Sequence, residues 1–520
     1  MGATIPASLW GRLIYDSERR YAVSIIGITR FRVYSWPIIK LCSTVAMPIN
    51  HSHSNIVTLL LSLIFVTLIY LLFNPFSKPE QLERLHYVGE SAGRMMDRHL
   101  DFYAGYEQVG EIERYLHRFL FGVQTEVETQ SLKNYEEVLA FFKRRPEQAT
   151  SWSILNTQSR LLVVLAETGR IESLRKNLAE FNDSPEAEMV AEAIRYAYLQ
   201  ESNEENLPEI MYGARMMPLG WAADRLWIRI AERHGDNVAL QYQLERHLSN
   251  GIKQRQQVLT VSVLVLIILL LGMFVLWRYK EVFTSTLWVH QPMHWSLAEG
   301  YAIAIRAAVA GMLIMLLLHL WSTQYFKPGV LALWSTLFAS LPMVYLIRRH
   351  LKQRPAVSMG QVFGLSLYGV GWKRFVIICL GFLTVDWLGS MLISWLSWMI
   401  GISSHWSESI NERLVFGPSM TMWLGMINLV IFAAVFEELG FRGLVYGTMR
   451  SRLNARWAIV ISALLFSSLH LYSLAGFLSV LWSGVVLAYM YERYRSLLPG
   501  MVVHGIGNLF SYGTVLLFYT

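Results

Sequence analysis

The chain of 520 residues is 54% hydrophobic and only 16% charged, against about 25% charged in ordinary soluble domains. That excludes an ordinary soluble enzyme and intrinsic disorder, and two cysteines, Cys42 and Cys379, are too few for a disulfide framework or a Cys-based zinc site. The net charge of +7 is uneven: residues 74–257 hold 28 acidic and 22 basic side chains, and the other 10 acidic and 23 basic residues leave +13, placed mostly in loops between apolar runs, so nucleic acid is not the expected partner.

Residues 1–55 form a basic N-terminal segment without the apolar core of a signal peptide, and translation is expected to start as far in as Met47. A first apolar run, Ile56–Phe73, is long enough for a transmembrane helix. Residues 74–257 read as a soluble helical domain, with apolar residues at i, i+3, i+4 spacing in Tyr135–Phe142, Ser159–Glu167, Ile171–Phe181 and Glu188–Leu199. Breaks at Thr168-Gly169, Asn182–Pro185 and His234–Asp236 separate them. The domain reads as a tetratricopeptide-like solenoid or, equally, an irregular bundle, because no 34-residue signature recurs.

Apolar runs resume at Gln256–Trp277, Ala307–Phe326 and Pro328–Ile347, so residues 258–374 read as transmembrane helices with a basic loop, Arg348 to Arg374. Gly360–Gly371 is Gly-rich and reads as interfacial, and His290 and His294 read as an exposed pair. Residues 375–520 form a last membrane domain with runs at Phe375–Ile400, Leu424–Met449, Trp457–Leu471, Leu474–Tyr491 and from Leu498 to the end. The fold class is therefore all-α: a polytopic membrane protein of about nine spans, with an inserted helical domain. Basic loops assigned to the cytoplasm place the N-terminus inside and the helical domain outside, with a bacterial inner membrane as the expected location.

Charges inside a bilayer cost at least about 2.5–3.5 kcal/mol each and mark function by default. The apolar spans hold three acids: Asp386, Glu437 and Glu438. Arg442, four residues after Glu438 on the same helix face, can neutralise it, which leaves Glu437 for proton chemistry. Two further helices carry Phe466-x-x-x-His470 and His504-x-x-x-Asn508, and Glu437, His470 and Asn508 lie at similar depth below basic loops. A carboxylate can deprotonate water, a His can orient that water, and a His/Asn pair can stabilise an oxyanion. Glu437, His470 and His504 also make a zinc inventory, so Zn2+ and a metal-free glutamate mechanism both stand open. Asp386 is expected to face a polar cavity or to cap a packing contact with Ser390 or Ser394.

Glu437-Glu438-x-x-x-Arg442, Phe466-x-x-x-His470 and His504-x-x-x-Asn508, in that order, resemble the CAAX protease and bacteriocin-processing family, the type II CAAX prenyl endopeptidase-like or Abi-like membrane proteins. The resemblance covers about residues 375–520. It implies an intramembrane endopeptidase acting on membrane-associated protein or peptide substrates. Glu437 would activate water with the help of Glu438 and its partner Arg442, His470 would bind or orient that water, and His504 and Asn508 would ligate metal or stabilise the oxyanion. The partners implied are the lipid bilayer and a peptide substrate, with residues 78–253 as a docking module for a protein. The competing reading is a non-catalytic membrane scaffold or receptor that binds its partner through that helical domain.

Overall fold

The computed structural model describes residues 51–73, 81–106, 109–111, 113–115, 124–181, 184–199, 206–284, 295–325, 335–353, 358–366, 371–402 and 404–520. Met47, the rest of the basic segment up to residue 50, and the pair His290 and His294 lie outside them. The described residues are helical and contain no strand.

After α1 (His51–Phe73) and a helical turn at Gln81–Arg84, the helical block comprises α2 (Val88–Ala104), α3 (Gln124–Arg144), α4 (Ser151–Glu167), α5 (Ile171–Ala179), α6 (Pro185–Ile194), α7 (Leu207–Met216) and α8 (Trp221–His234). Its helix starts follow from local chemistry. Thr150 and Ser153 form a reciprocal capping box on α4, and Ser184 caps α6 with Pro185 in the first turn. Apolar faces of these helices meet in one core, with Tyr135, Phe141, Leu162, Leu174, Val190, Ile194 and Leu226 fully enclosed. That core continues through Trp406, Ile410, Val515 and Tyr519, so the block is seated on the loop that carries Trp406 and Ile410 and on the last helix of the membrane domain.

The block carries buried charge. Asp97 pairs with Arg160 at 3.0 Å, and Asp101 lies among Asp97, Asp224, Arg98, Arg246 and His247. Burial, followed by the Asp97 and Asp224 charges, pushes the Asp101 carboxyl up to about 8 from its ordinary 3.8. A group whose folded pKa is raised stabilises below its unfolded value and loses that contribution as pH climbs through the folded one. Asp101→Asn is therefore expected to raise the melting temperature at pH 8 and leave it nearly unchanged near pH 4. Equal shifts at both values would refute the assignment.

The next helix, α9 (Asn237–Arg278), runs unbroken for 42 residues, about 63 Å at 1.5 Å per residue. Its polar first half crosses α2 so closely that a Cβ on Gly251 would lie 2.5 Å from the Gly105 nitrogen. Its apolar second half crosses α12 (Trp372–Met399) at Thr384. The boundary expected near residue 257 therefore falls inside one continuous helix that joins the polar block to the apolar part.

The membrane part adds α10 (Leu297–Tyr325), α11 (Ser335–Lys352), α13 (Ser419–Arg450), α14 (Ala455–Ser468), α15 (Leu474–Tyr494) and α16 (Leu498–Tyr519). Where their residues are described, the expected apolar runs lie in helices apart from a few end residues. Among the described residues six helices are long and apolar enough to cross a membrane: those at Asn237–Arg278, Leu297–Leu318, Trp372–Met399, Ser419–Arg450, Leu474–Tyr494 and Leu498–Tyr519. At 14 residues α14 rises about 21 Å, less than a hydrocarbon core of about 30 Å. Ile378, Phe382, Leu487, Met490, Tyr494 and Val503 pack α12, α15 and α16 together. The Gly-rich stretch expected at the interface is anchored to protein: Phe363 is buried, and its carbonyl accepts from the Leu497 amide at the turn before α16.

Candidate active site

The site is built on α13, an irregular helix. Asn428–Ala433 and Glu438–Tyr446 are π-helical and flank the α-helical turn Ala434–Glu437. A π-turn widens the ladder to i→i+5, and such bulges concentrate at functional sites. Leu429, in the first of them, has a carbonyl that takes a hydrogen bond from the Asn508 side-chain amide of α16 at 2.8 Å. Asn508 thus fastens α16 to α13 with one of its two amide hydrogens.

The neighbouring carboxylates of α13 have different surroundings. Glu438 is 1% exposed, and its Oε1 accepts from Arg442 Nη1 and from His504 Nδ1, both at 2.9 Å. Arg442 is fully enclosed, donates also to the Gly484 carbonyl of α15, and lies over the Phe466 ring with 4.3 Å between Cζ and the ring centre. A buried guanidinium thus gains a carboxylate, a carbonyl and a π-face. Glu437 has a side chain that is 30% exposed, and its Oε2 lies 3.7 Å from His504 Nε2.

Phe466 is the hub of the cluster, which gives the spacing Phe466-x-x-x-His470 a physical reason. Its ring meets His470 edge-on at 4.8 Å and His504 at 5.9 Å while carrying Arg442 on its face. Its carbonyl, two residues before the helix end, accepts from His470 Nδ1 at 2.9 Å. The acceptors at both Nδ1 atoms cannot donate, so the hydrogen sits on Nδ1 in each ring. Both Nε2 atoms are left for the site. The backbone then turns sharply at Leu471, a non-glycine residue with φ of +54°, and brings Tyr472 back against His470 with ring centres 5.7 Å apart.

The sequence-derived residues therefore converge from three helices: Glu437, Glu438 and Arg442 from α13, His470 from the end of α14, and His504 from α16. Asn508 lies one turn beyond His504 and is engaged with backbone. Asp386 bonds to Ser483 of α15 at 2.7 Å rather than to Ser390 or Ser394, because α12 turns that face toward α15 and not along itself. Sequence reading passed over Tyr472, whose only signal was an aromatic two residues after a membrane His, and treated Phe466 as a marker without a role. Among the described residues, no three His, Cys, Asp or Glu side chains stand as a group that could hold a metal ion.

Residues 419–510 match the family model of type II CAAX prenyl endopeptidase Rce1-like proteins. The match opens with the first residue of α13 and closes just after Asn508, so it encloses all six residues. No curated protein and no solved structure matches the chain. The chain is an integral membrane protein whose residues 419–510 form a domain of the Rce1-like CAAX endopeptidase family.

Proposed function

We propose that the chain is an intramembrane endopeptidase that hydrolyses peptide bonds of membrane-associated proteins or peptides, with Glu437 as the base that activates water. The observation that carries this reading is the split between adjacent carboxylates. Glu438 is committed to Arg442 and His504, whereas Glu437 is partly open and has no guanidinium. Water donating one hydrogen to Glu437 and the other to His470 Nε2 keeps a lone pair for the scissile carbonyl. The tetrahedral oxyanion would be met by the second amide hydrogen of Asn508 and by His504 as an imidazolium, which carries a hydrogen on Nε2 besides the one given to Glu438. Glu437 then returns its proton to the leaving amine, which closes the proton balance.

The steps above use protein groups alone, and Zn2+ held by Glu437, His470 and His504 is the alternative source of activated water. Metal analysis beside an activity assay on an S-farnesyl peptide tests this. Full cleavage after dialysis against phenanthroline, with no stoichiometric metal, is the expected result. Activity lost to the chelator and restored by Zn2+ would transfer water activation to a metal.

A further inference from the structure

Asp386 is the one acid of the apolar runs that the hydrolytic steps do not use. It sits near the middle of α12 (Trp372–Met399), about 20 Å from either end at 1.5 Å per residue. A carboxyl group at that depth is costly to keep, and Asp386 forms no ion pair among the described residues. Its Oδ1 accepts from the Ser483 hydroxyl of α15 at 2.7 Å, and the next residue, Gly484, has the carbonyl that receives Arg442. We propose that Asp386 is a positioning residue of the hydrolytic site: through Ser483 it sets the α15 carbonyl that receives Arg442, and through Arg442 the Glu438–His504 pair. This inference rests on the endopeptidase reading above and adds a residue from outside the 419–510 domain.

Three consecutive residues of α15 carry the argument. Trp482 donates from Nε1 to the Val385 carbonyl at 3.3 Å, and its ring covers Gly389, where a Cβ would lie 2.1 Å from Nε1. Ser483 bonds to Asp386. Gly484 lies so close to α14 that a Cβ on it would stand 3.0 Å from the Ala463 Cβ, and its carbonyl faces Arg442 of α13. Residues 482 and 483 therefore hold α15 to α12, while residue 484 meets the helices of the site. A rotation of α15 that releases Ser483 also moves the Gly484 carbonyl. That carbonyl takes Arg442 Nη2 at 3.3 Å, at the long end of the hydrogen-bonding range, so a small displacement breaks the bond. Arg442 has nothing to exchange for it. The guanidinium is fully enclosed, and its Nε already lacks a hydrogen-bond partner among the described residues. A second unpaired N–H in the interior is costly, so the guanidinium re-aims. Glu438 Oε1 moves with it, and that oxygen also holds His504 Nδ1. The carboxyl of Asp386 thus has a use in the membrane that neither packing nor the proton steps supply.

The test is a double-mutant cycle on the full chain in phosphatidylcholine vesicles, with an S-farnesyl peptide as substrate and melting temperature measured beside kcat and KM. Asp386→Leu and Ser483→Ala are each expected to lower kcat by roughly 10- to 100-fold, the effect of an ångström-scale misplacement, with KM unchanged. The double variant should be no slower than the slower single, because both changes cut the same link. Asp386→Asn keeps an oxygen that can accept from Ser483 and should retain most of the wild-type kcat. Ser394→Ala, on the same helix, serves as the control and should cleave like wild type. Wild-type kcat in Ser483→Ala overturns the inference, and so do additive losses in the double variant. Asp386→Asn as slow as Asp386→Leu overturns it as well, since Asp386 would then act by charge and not through Ser483. A kcat loss that only follows a falling melting temperature makes the contact packing and nothing more. If Asp386→Leu does not fold, Ser483→Ala and Asp386→Asn decide on the same criteria. If wild type does not cleave the peptide, the endopeptidase reading fails instead. The guanidinium nitrogen resonances of Arg442, identified by their absence in Arg442→Lys, then decide the positioning alone. They should shift in Ser483→Ala and stay in place in Asp386→Asn, and resonances unmoved by Ser483→Ala count against it.

Discussion

Glu437→Gln is expected to lower single-turnover peptide cleavage by about 100- to 10,000-fold, the usual contribution of a positioned general base, while the melting temperature stays that of wild type. The two halves of this expectation come from the same geometry. The amide of Gln keeps the size and hydrogen-bonding shape of the carboxylate but cannot take a proton from water. The side chain is 30% exposed, 3.7 Å from His504 Nε2, and is not the hydrogen-bonded partner of Arg442, so the fold depends on its charge less than on that of Glu438. Glu438→Gln gives the contrasting result: it removes the charge between Arg442 and His504, so stability falls together with activity. Cleavage by Glu437→Gln within a few-fold of wild type would remove Glu437 from the mechanism. A loss of melting temperature in that variant equal to the loss in Glu438→Gln would show that the two carboxylates are not divided in role.

Much of this site was legible in the sequence because a membrane leaves few reasons to keep a charge. Within apolar runs, Glu437, Glu438 and Arg442 stand out by cost alone, and the i, i+4 spacing of Glu438 and Arg442 already puts them on one face. The nine apolar runs were legible for the same reason, since hydropathy reports the solvent directly. What remained hidden depends on backbone geometry that residue types do not encode. Nothing in Asn428–Ala433 or Glu438–Tyr446 announces a π-turn, so the engagement of Asn508 with the Leu429 carbonyl could not be foreseen. The length of α9 was masked by its composition: a polar half and an apolar half read as two elements, although the helix contains no proline and only two glycines, Gly251 and Gly272. The seating of the helical block was hidden as well. It depends on Glu412 and on Glu137, which bonds His405 and Trp406, and these charges look like ordinary surface residues in sequence.

Arg442→Met is expected to destabilise the membrane domain by about 3–5 kcal/mol, the cost of leaving one partner of a buried ion pair uncompensated, and to abolish cleavage. The guanidinium is fully enclosed, and no water can replace it next to Glu438, itself 1% exposed. Met matches the aliphatic stem of Arg and can keep a contact with the Phe466 ring, so the loss reports charge more than volume. The decisive comparison is the double variant Glu438→Gln with Arg442→Met. Removing both charges leaves an uncharged site of similar volume, and replacing buried pairs by apolar groups is often neutral for stability. The melting temperature of the double variant in detergent should therefore recover most of what Arg442→Met loses. Cleavage should not recover, because His504 would have lost the anion that fixes its Nδ1 hydrogen and thereby aims its Nε2 at Glu437. A double variant no more stable than Arg442→Met alone would mean that Arg442 acts on the fold through Gly484 and Phe466 and not through Glu438. A double variant that cleaves peptide would mean that the ion pair holds the helices together without organising the chemistry.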